Sequence, residues 1–212
     1  MSTEDPDLMR LAVQERTSLL ELLRTLEPQQ WASRSLCSEW TVRQVATHVV
    51  SYDGLSRMSL IRTFARGGFR VGRVNEVALR RFDDHSDRDV VALVADHVEP
   101  RGLTAGFGGG IALTDTMIHQ QDIRRALRLP RAIPTERLQP VLDFALRAPT
   151  LPARKNARSL RLVADDIDWQ HGEGPEVTGP GEALLMTVAG RGSALLELGG
   201  PGLPLLASRV GA

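Results

Sequence analysis

"LTDTMIHQQDIRRAL", residues 113 to 127, reads as one amphipathic helix into which two carboxylates and a histidine are set, with Asp115, His119 and Asp122 spaced four and three apart. At about 100° per residue, Asp115 and His119 stand about 40° apart in projection and one turn apart along the axis, so their side chains can converge; Asp122 continues nearly the same line. On spacing alone two readings stay open. Two ligands four apart, joined by a third from a facing helix, build a three-ligand metal centre with a position left for water or substrate. A hydrogen bond between Asp115 and His119 on the helix surface gives the same pattern.

Outward from this helix the chain is mostly helical in period. Apolar residues from Leu8 to Leu26 recur at helical spacing and stop before Pro28. Thr41, with Gln44 three residues on and Trp40 before it to pack on Val45, predicts a capped helix that starts near Val42 and whose apolar positions carry it to about Ala65. Further helices are expected over about 71–82, over 87–98 behind a Ser86 cap, and from Thr135 to about Leu146. "RGLTAGFGGG" lacks the Lys-Ser/Thr of a phosphate-binding loop and is expected to be a flexible connector that borders the site. Beyond residue 150 the period changes. "SLRLVADDIDWQ" alternates like a strand pair turning at "ADD", "EVTGP" ends another extended piece, "PGEALLMTVAGRG" reads as a helix, and "ALLELGG" fits a last strand.

Five histidines are present, and position separates them. His85 and His171 fall in polar turns and His97 near a helix end, where each has an ordinary explanation. His48 lies about 60° from Val45 and about 100° from Val49, on the flank of an inward face, and can point into a bundle. Cys37, the single cysteine, excludes an internal disulfide and any multi-cysteine zinc site, so a bound metal must be held by nitrogen and oxygen; the thiol itself reads as inert. Lys155 is the one lysine, which excludes most lysine-based catalysis. Acids and bases balance at 26 each, so no net basic field draws in nucleic acid. No apolar run approaches the roughly 20 residues of a bilayer span, and the acidic start is unlike a signal peptide; a cytoplasmic protein with neither nucleic acid nor membrane as partner is expected.

Trp31, "SLCSEWTVRQVATHVV", "DTMIHQQDIRRALRLP" and "VTGPGEALLMTVAGR" together resemble the mycothiol-dependent maleylpyruvate isomerase-like family of DinB-type helical bundles, over nearly the whole chain. The resemblance implies a mainly α fold: a DinB-like up-down helical bundle over residues 1–150 and a small α+β C-terminal domain over 157–212. It implies that His48, Asp115 and His119 match three metal ligands, with zinc the metal expected, although Asp115 stands where the family has glutamate, one methylene longer. Asp122 matches the family's aspartate and is either a partner of a ligand or a neighbour pairing with Arg125. Arg191, in the C-terminal "GR", is the candidate for cofactor binding, its alternative being a cation near a helix C-terminus. Implied besides are mycothiol or a similar thiol as cofactor, isomerisation or thiol transfer on a small molecule, and a possible homodimer. Arg80 or Arg81 could bind a carboxylate substrate; no catalytic acid or base stands out. The contrasting expectation is a family member without catalysis that serves as a small-molecule or protein-binding module.

Overall fold

The computed structural model describes residues 7–37 and 39–210. The chain divides into two compact units, Met1–Pro130 and Arg131–Ala212.

In the first unit, α1 (Leu8–Thr25) opens at Asp7, whose side chain accepts from the Arg10 amide. It buries Leu11, Leu19, Leu22 and Leu23, each contributing about 1.5–3 kcal/mol by its removal from water. A single turn, α2 (Pro28–Trp31), seats Trp31 in the core and was not anticipated. α3 (Val42–Val50) starts as expected, with the Thr41 and Gln44 side chains each bonded to the other's backbone amide. It does not run on to Ala65. The chain turns after Val50, and Ser56 caps a separate α4 (Arg57–Arg66), followed by α5 (Val71–Leu79) and a 3-10 turn at Arg80–Phe82. α6 (Asp87–Asp96) carries the expected Ser86 cap. α7 (Gly110–Leu127) is the helix quoted at the outset.

α1, α3, α6 and α7 pack as a bundle. Its core joins Leu19, Leu23, Val45, Val49, Val90, Val94 and Ile123. α4 and α5 form a hairpin packed on Tyr52 through Leu60, Phe64, Val74 and Ala78. "GFGGG" is a short 3-10 turn that enters α7 and packs on α1. Gly109 has φ 94°, and a Cβ there would stand 2.8 Å from Met9 Cα, so only glycine allows α7 to begin against α1.

The second unit holds α8 (Thr135–Arg147), α9 (Ala153–Asn156), β1 (Arg161–Ala164), β2 (Gln170–His171), β3 (Glu176–Gly179), α10 (Gly181–Val188) and α11 (Leu203–Val210). The sheet order is β2-β1-β3, with β1 antiparallel to β2 and parallel to β3. The expected boundary near residue 150 therefore falls earlier, at Pro130, because α8 packs on α9 and α10 and Trp169 Nε1 donates to Asp143 on α8 at 2.9 Å. The strand expected at "ALLELGG" is instead a 3-10 segment, Gly192–Glu197, with one isolated bridge from Gly199 to Thr178. The mainly α class, a helical bundle followed by a small α+β domain, holds.

Candidate metal centre

α3 and α7 pack against each other and bring together the three residues of the expected ligand set. His48 Nε2 lies 3.6 Å and His119 Nε2 3.5 Å from Asp115 Oδ1. Ligands about 2.0–2.2 Å from a tetrahedral ion stand about 3.3–3.6 Å from one another, and the two edges from Asp115 fall in that range. All three donor atoms lie within 4.8 Å of one another. The shorter aspartate thus reaches both histidines. The two imidazole rings meet edge to face at 4.9 Å between centroids.

Asp122 is fully buried, and its Oδ2 accepts from His119 Nδ1 at 2.9 Å. That bond fixes the tautomer and leaves Nε2 pointing at Asp115, as a carboxylate does for a metal-bound histidine. Asp122 is thus a buried partner of His119, where an exposed position beside Arg125 was the other expectation. Cys37 Sγ also donates to Asp122 Oδ2, at 3.2 Å, and lies 3.8 Å from His119 Nδ1. No local pattern signals this contact, because the loop of Cys37 is brought to α7 by a backbone bond from Leu36 N to Asp122 O. Asp122→Asn is expected to weaken metal binding about 10–100-fold, read by competition with a chromophoric chelator; an unchanged affinity would make the buried carboxylate a packing element only.

Aromatic rings wall the centre. Trp40 stacks obliquely on His48 at 4.8 Å and reaches His119 at 6.1 Å, and Tyr52 meets His48 edge-on at 6.1 Å. His48 Nδ1 is buried with no hydrogen-bond partner among the described residues, so packing holds this ring where a carboxylate holds His119. Tyr52 Oη donates to Asn75 at 2.6 Å on the α4–α5 hairpin. Burial, and then the Asp115 charge, push the Tyr52 phenol up, against the opposing pull of Arg81. Arg81 itself is tied to the carbonyls of Ser51 and Ala78.

Charge follows the same geometry. Burial opposes ionisation of Asp115, yet His119 first and His48 next prevail and hold its carboxyl at about 2. Burial likewise opposes the His119 imidazolium, but Asp115, then Asp122 and Cys37, lift it to about 10. The side chains of His48 and His119 are 6% and 11% exposed and that of Asp115 31%, so the centre opens to solvent on the aspartate side.

Of the other residues singled out, His97 closes α6 with its ring on Leu93 O, His85 touches Phe82, and His171 stacks on Trp169. None joins the centre. Arg191 lies in the second unit, where its Nη1 donates to Ala189 O at the end of α10.

Two histidines and a carboxylate from two helices of the bundle thus converge as a group that could hold a metal ion. Residues 12–101 match the model of the mycothiol maleylpyruvate isomerase N-terminal domain. The matched stretch carries His48 and ends before α7. A crystal structure of a histidine-to-alanine mutant of the mycothiol-dependent maleylpyruvate isomerase is similar in fold, with 12% identity, a TM-score of 0.52, and coverage of 92% of this chain and 91% of that one. No curated protein matches the chain.

Proposed function

We propose that the chain is a metal-dependent enzyme that uses a low-molecular-weight thiol, mycothiol or one like it, for isomerisation or thiol transfer on a small molecule. The observation that carries this reading is the convergence of His48 Nε2, Asp115 Oδ1 and His119 Nε2 within 4.8 Å of one another, with Asp122 orienting one histidine. The donor set, two imidazoles and a carboxylate, suits zinc and leaves a fourth position open. Bound there, a divalent cation would favour thiolate over thiol and so supply a nucleophile at neutral pH, which a chain with one lysine and a carboxylate-bonded Cys37 does not provide itself.

The chain's own residues do the rest. Asp122 keeps the His119 proton on Nδ1, and Trp40 and Tyr52 shield the His48 side from water. The exposed edge of Asp115 is where thiol and substrate would enter. Arg191 is proposed to contact the cofactor on resemblance of its motif alone.

Elemental analysis of protein purified without added metal, then offered zinc, tests the reading beside His119→Ala. About one zinc per chain, lost in the variant, is expected. Calorimetric titration of mycothiol should then give binding heat with metal-loaded protein and none with His119→Ala. Absence of metal even after zinc is offered would overturn the centre; metal without thiol binding would overturn the thiol.

A further inference from the structure

Between Asp53 and Glu76 the sequence contains no acid, yet it carries Arg57, Arg62, Arg66, Arg70 and Arg73. All five arginines are exposed, and none forms an ion pair among the described residues. The same stretch holds the most exposed apolar residues of the α4–α5 hairpin: Met58 at 57%, Ile61 at 61%, Phe69 at 75% and Val71 at 52%. In a chain whose charges balance overall, this concentration is local.

The arrangement on α4 is ordered. Taking Arg57 as zero and about 100° per residue, Ile61, Ala65 and Met58 fall at about 40°, 80° and 100°, while Arg57 borders them at one edge and Arg62 and Arg66 at about 140° and 180° on the other. Leu60 and Phe64, at about 300° and 340°, lie beyond Arg57 and pack inward on Tyr52 and Val74. The outward face of α4 is therefore an apolar crest with cations along both flanks. A Cβ on Gly67 would stand 2.5 Å from Val74 Cγ2, so the hairpin closes tightly here and presents Phe69 and Val71 beyond the end of the crest.

From this geometry we infer that the α4–α5 hairpin docks the protein on an anionic lipid surface. Apolar side chains on a convex helix enter the headgroup layer without needing a complementary pocket, and flanking arginines meet lipid phosphates at the same depth. A second copy of this face would set five unpaired arginines against five. A nucleic acid would leave Met58 and Ile61 against a polyanion. The expectation of no membrane partner rests on the lack of a bilayer span, and no helix among the described residues is long and apolar enough to cross one; docking on a surface needs no span and departs from that expectation. This inference is independent of the metal centre.

The test is co-sedimentation of the full chain with vesicles of phosphatidylcholine alone or mixed with phosphatidylglycerol. Binding is expected only with the anionic lipid. At about a fivefold loss per arginine, Arg62→Gln with Arg66→Gln should weaken it about 30-fold. Met58→Ser with Ile61→Ser should weaken it at least about tenfold. No binding to anionic vesicles would overturn the proposal. So would binding indifferent to the Met58 and Ile61 changes, which is charge adhesion only, or a dimer in sedimentation velocity that Ile61→Ser dissociates, which would assign the crest to a second copy.

Discussion

Replacing Asp53 with alanine is expected to cost the first unit about 3–5 kcal/mol, the largest stability effect of any single side chain in it. Arg16 and Asp53 have fully buried side chains and form an ion pair at 2.5 Å. The guanidinium also donates to Val49 O on α3 at 3.1 Å and to His97 O at the end of α6 at 2.6 Å. Asp53 accepts from Thr104 Oγ1 and, at 3.4 Å, from the Arg101 amide, so it also ties down the segment that leads into α7. Removing the carboxylate strands a charged guanidinium in the core with carbonyls alone to solvate it. Val49 follows His48 directly, so part of the loss should reach the metal centre. Urea denaturation followed by far-ultraviolet circular dichroism checks it. A loss below about 1 kcal/mol would mean that water reaches Arg16 and the pair is not the bundle's internal tie. Replacing both partners, Arg16→Met with Asp53→Leu, should recover much of the stability, since the penalty comes from the unpaired charge more than from the lost attraction.

What could be read from the sequence was what short-range chemistry decides. The caps at Thr41 and Ser86 are written in residues three apart, and both helices start there. Asp115 and His119 show themselves because α7 alone fixes their spacing, and His48 because its place beside an apolar stripe turns it inward. The break after Val50 was hidden because Tyr52, Leu55, Met58 and Ile61 continue the helical period. Those residues serve two different packings instead: Tyr52 faces the centre, while Met58 and Ile61 face solvent. The strand expected at "ALLELGG" differs from the observed 3-10 segment because a short apolar run carries no period long enough to distinguish the two. Cys37 was beyond reach, since its partner Asp122 lies 85 residues on and only tertiary packing joins them. That Asp122 bonds His119 was open for the same reason: His119 and Arg125 are both three residues away, and only packing shows that the carboxylate is buried against the histidine.

Metal binding is expected to release a proton from His119 and to strengthen about tenfold per pH unit between about pH 6 and 8 on that group's account. In the metal-free centre the carboxylates raise the His119 imidazolium to about 10, so across this range the ring carries a proton on Nε2 as well as on the Nδ1 held by Asp122. Coordination needs the Nε2 lone pair, and the proton must leave. Asp115, held at about 2, is already ionised and releases nothing. The same shifts set the stability of the metal-free protein with opposite sign. A group raised on folding stabilises fully below its ordinary value of 6.5, and that contribution is lost as pH climbs toward about 10. For Asp115, depressed from 3.8, the contribution is present above that value and disappears as pH falls toward about 2. Raising the pH from about 6.5 therefore loosens the empty bundle while tightening its hold on the ion, and the gain in melting temperature on adding metal should widen with pH. Calorimetric titration of zinc in two buffers of different ionisation enthalpy measures the proton directly. A release of about one proton per metal that His119→Ala abolishes along with binding fits this account. An affinity indifferent to pH over the same range would mean that His119 is already neutral in the empty site, and that the charge balance drawn from Asp115 and Asp122 is wrong.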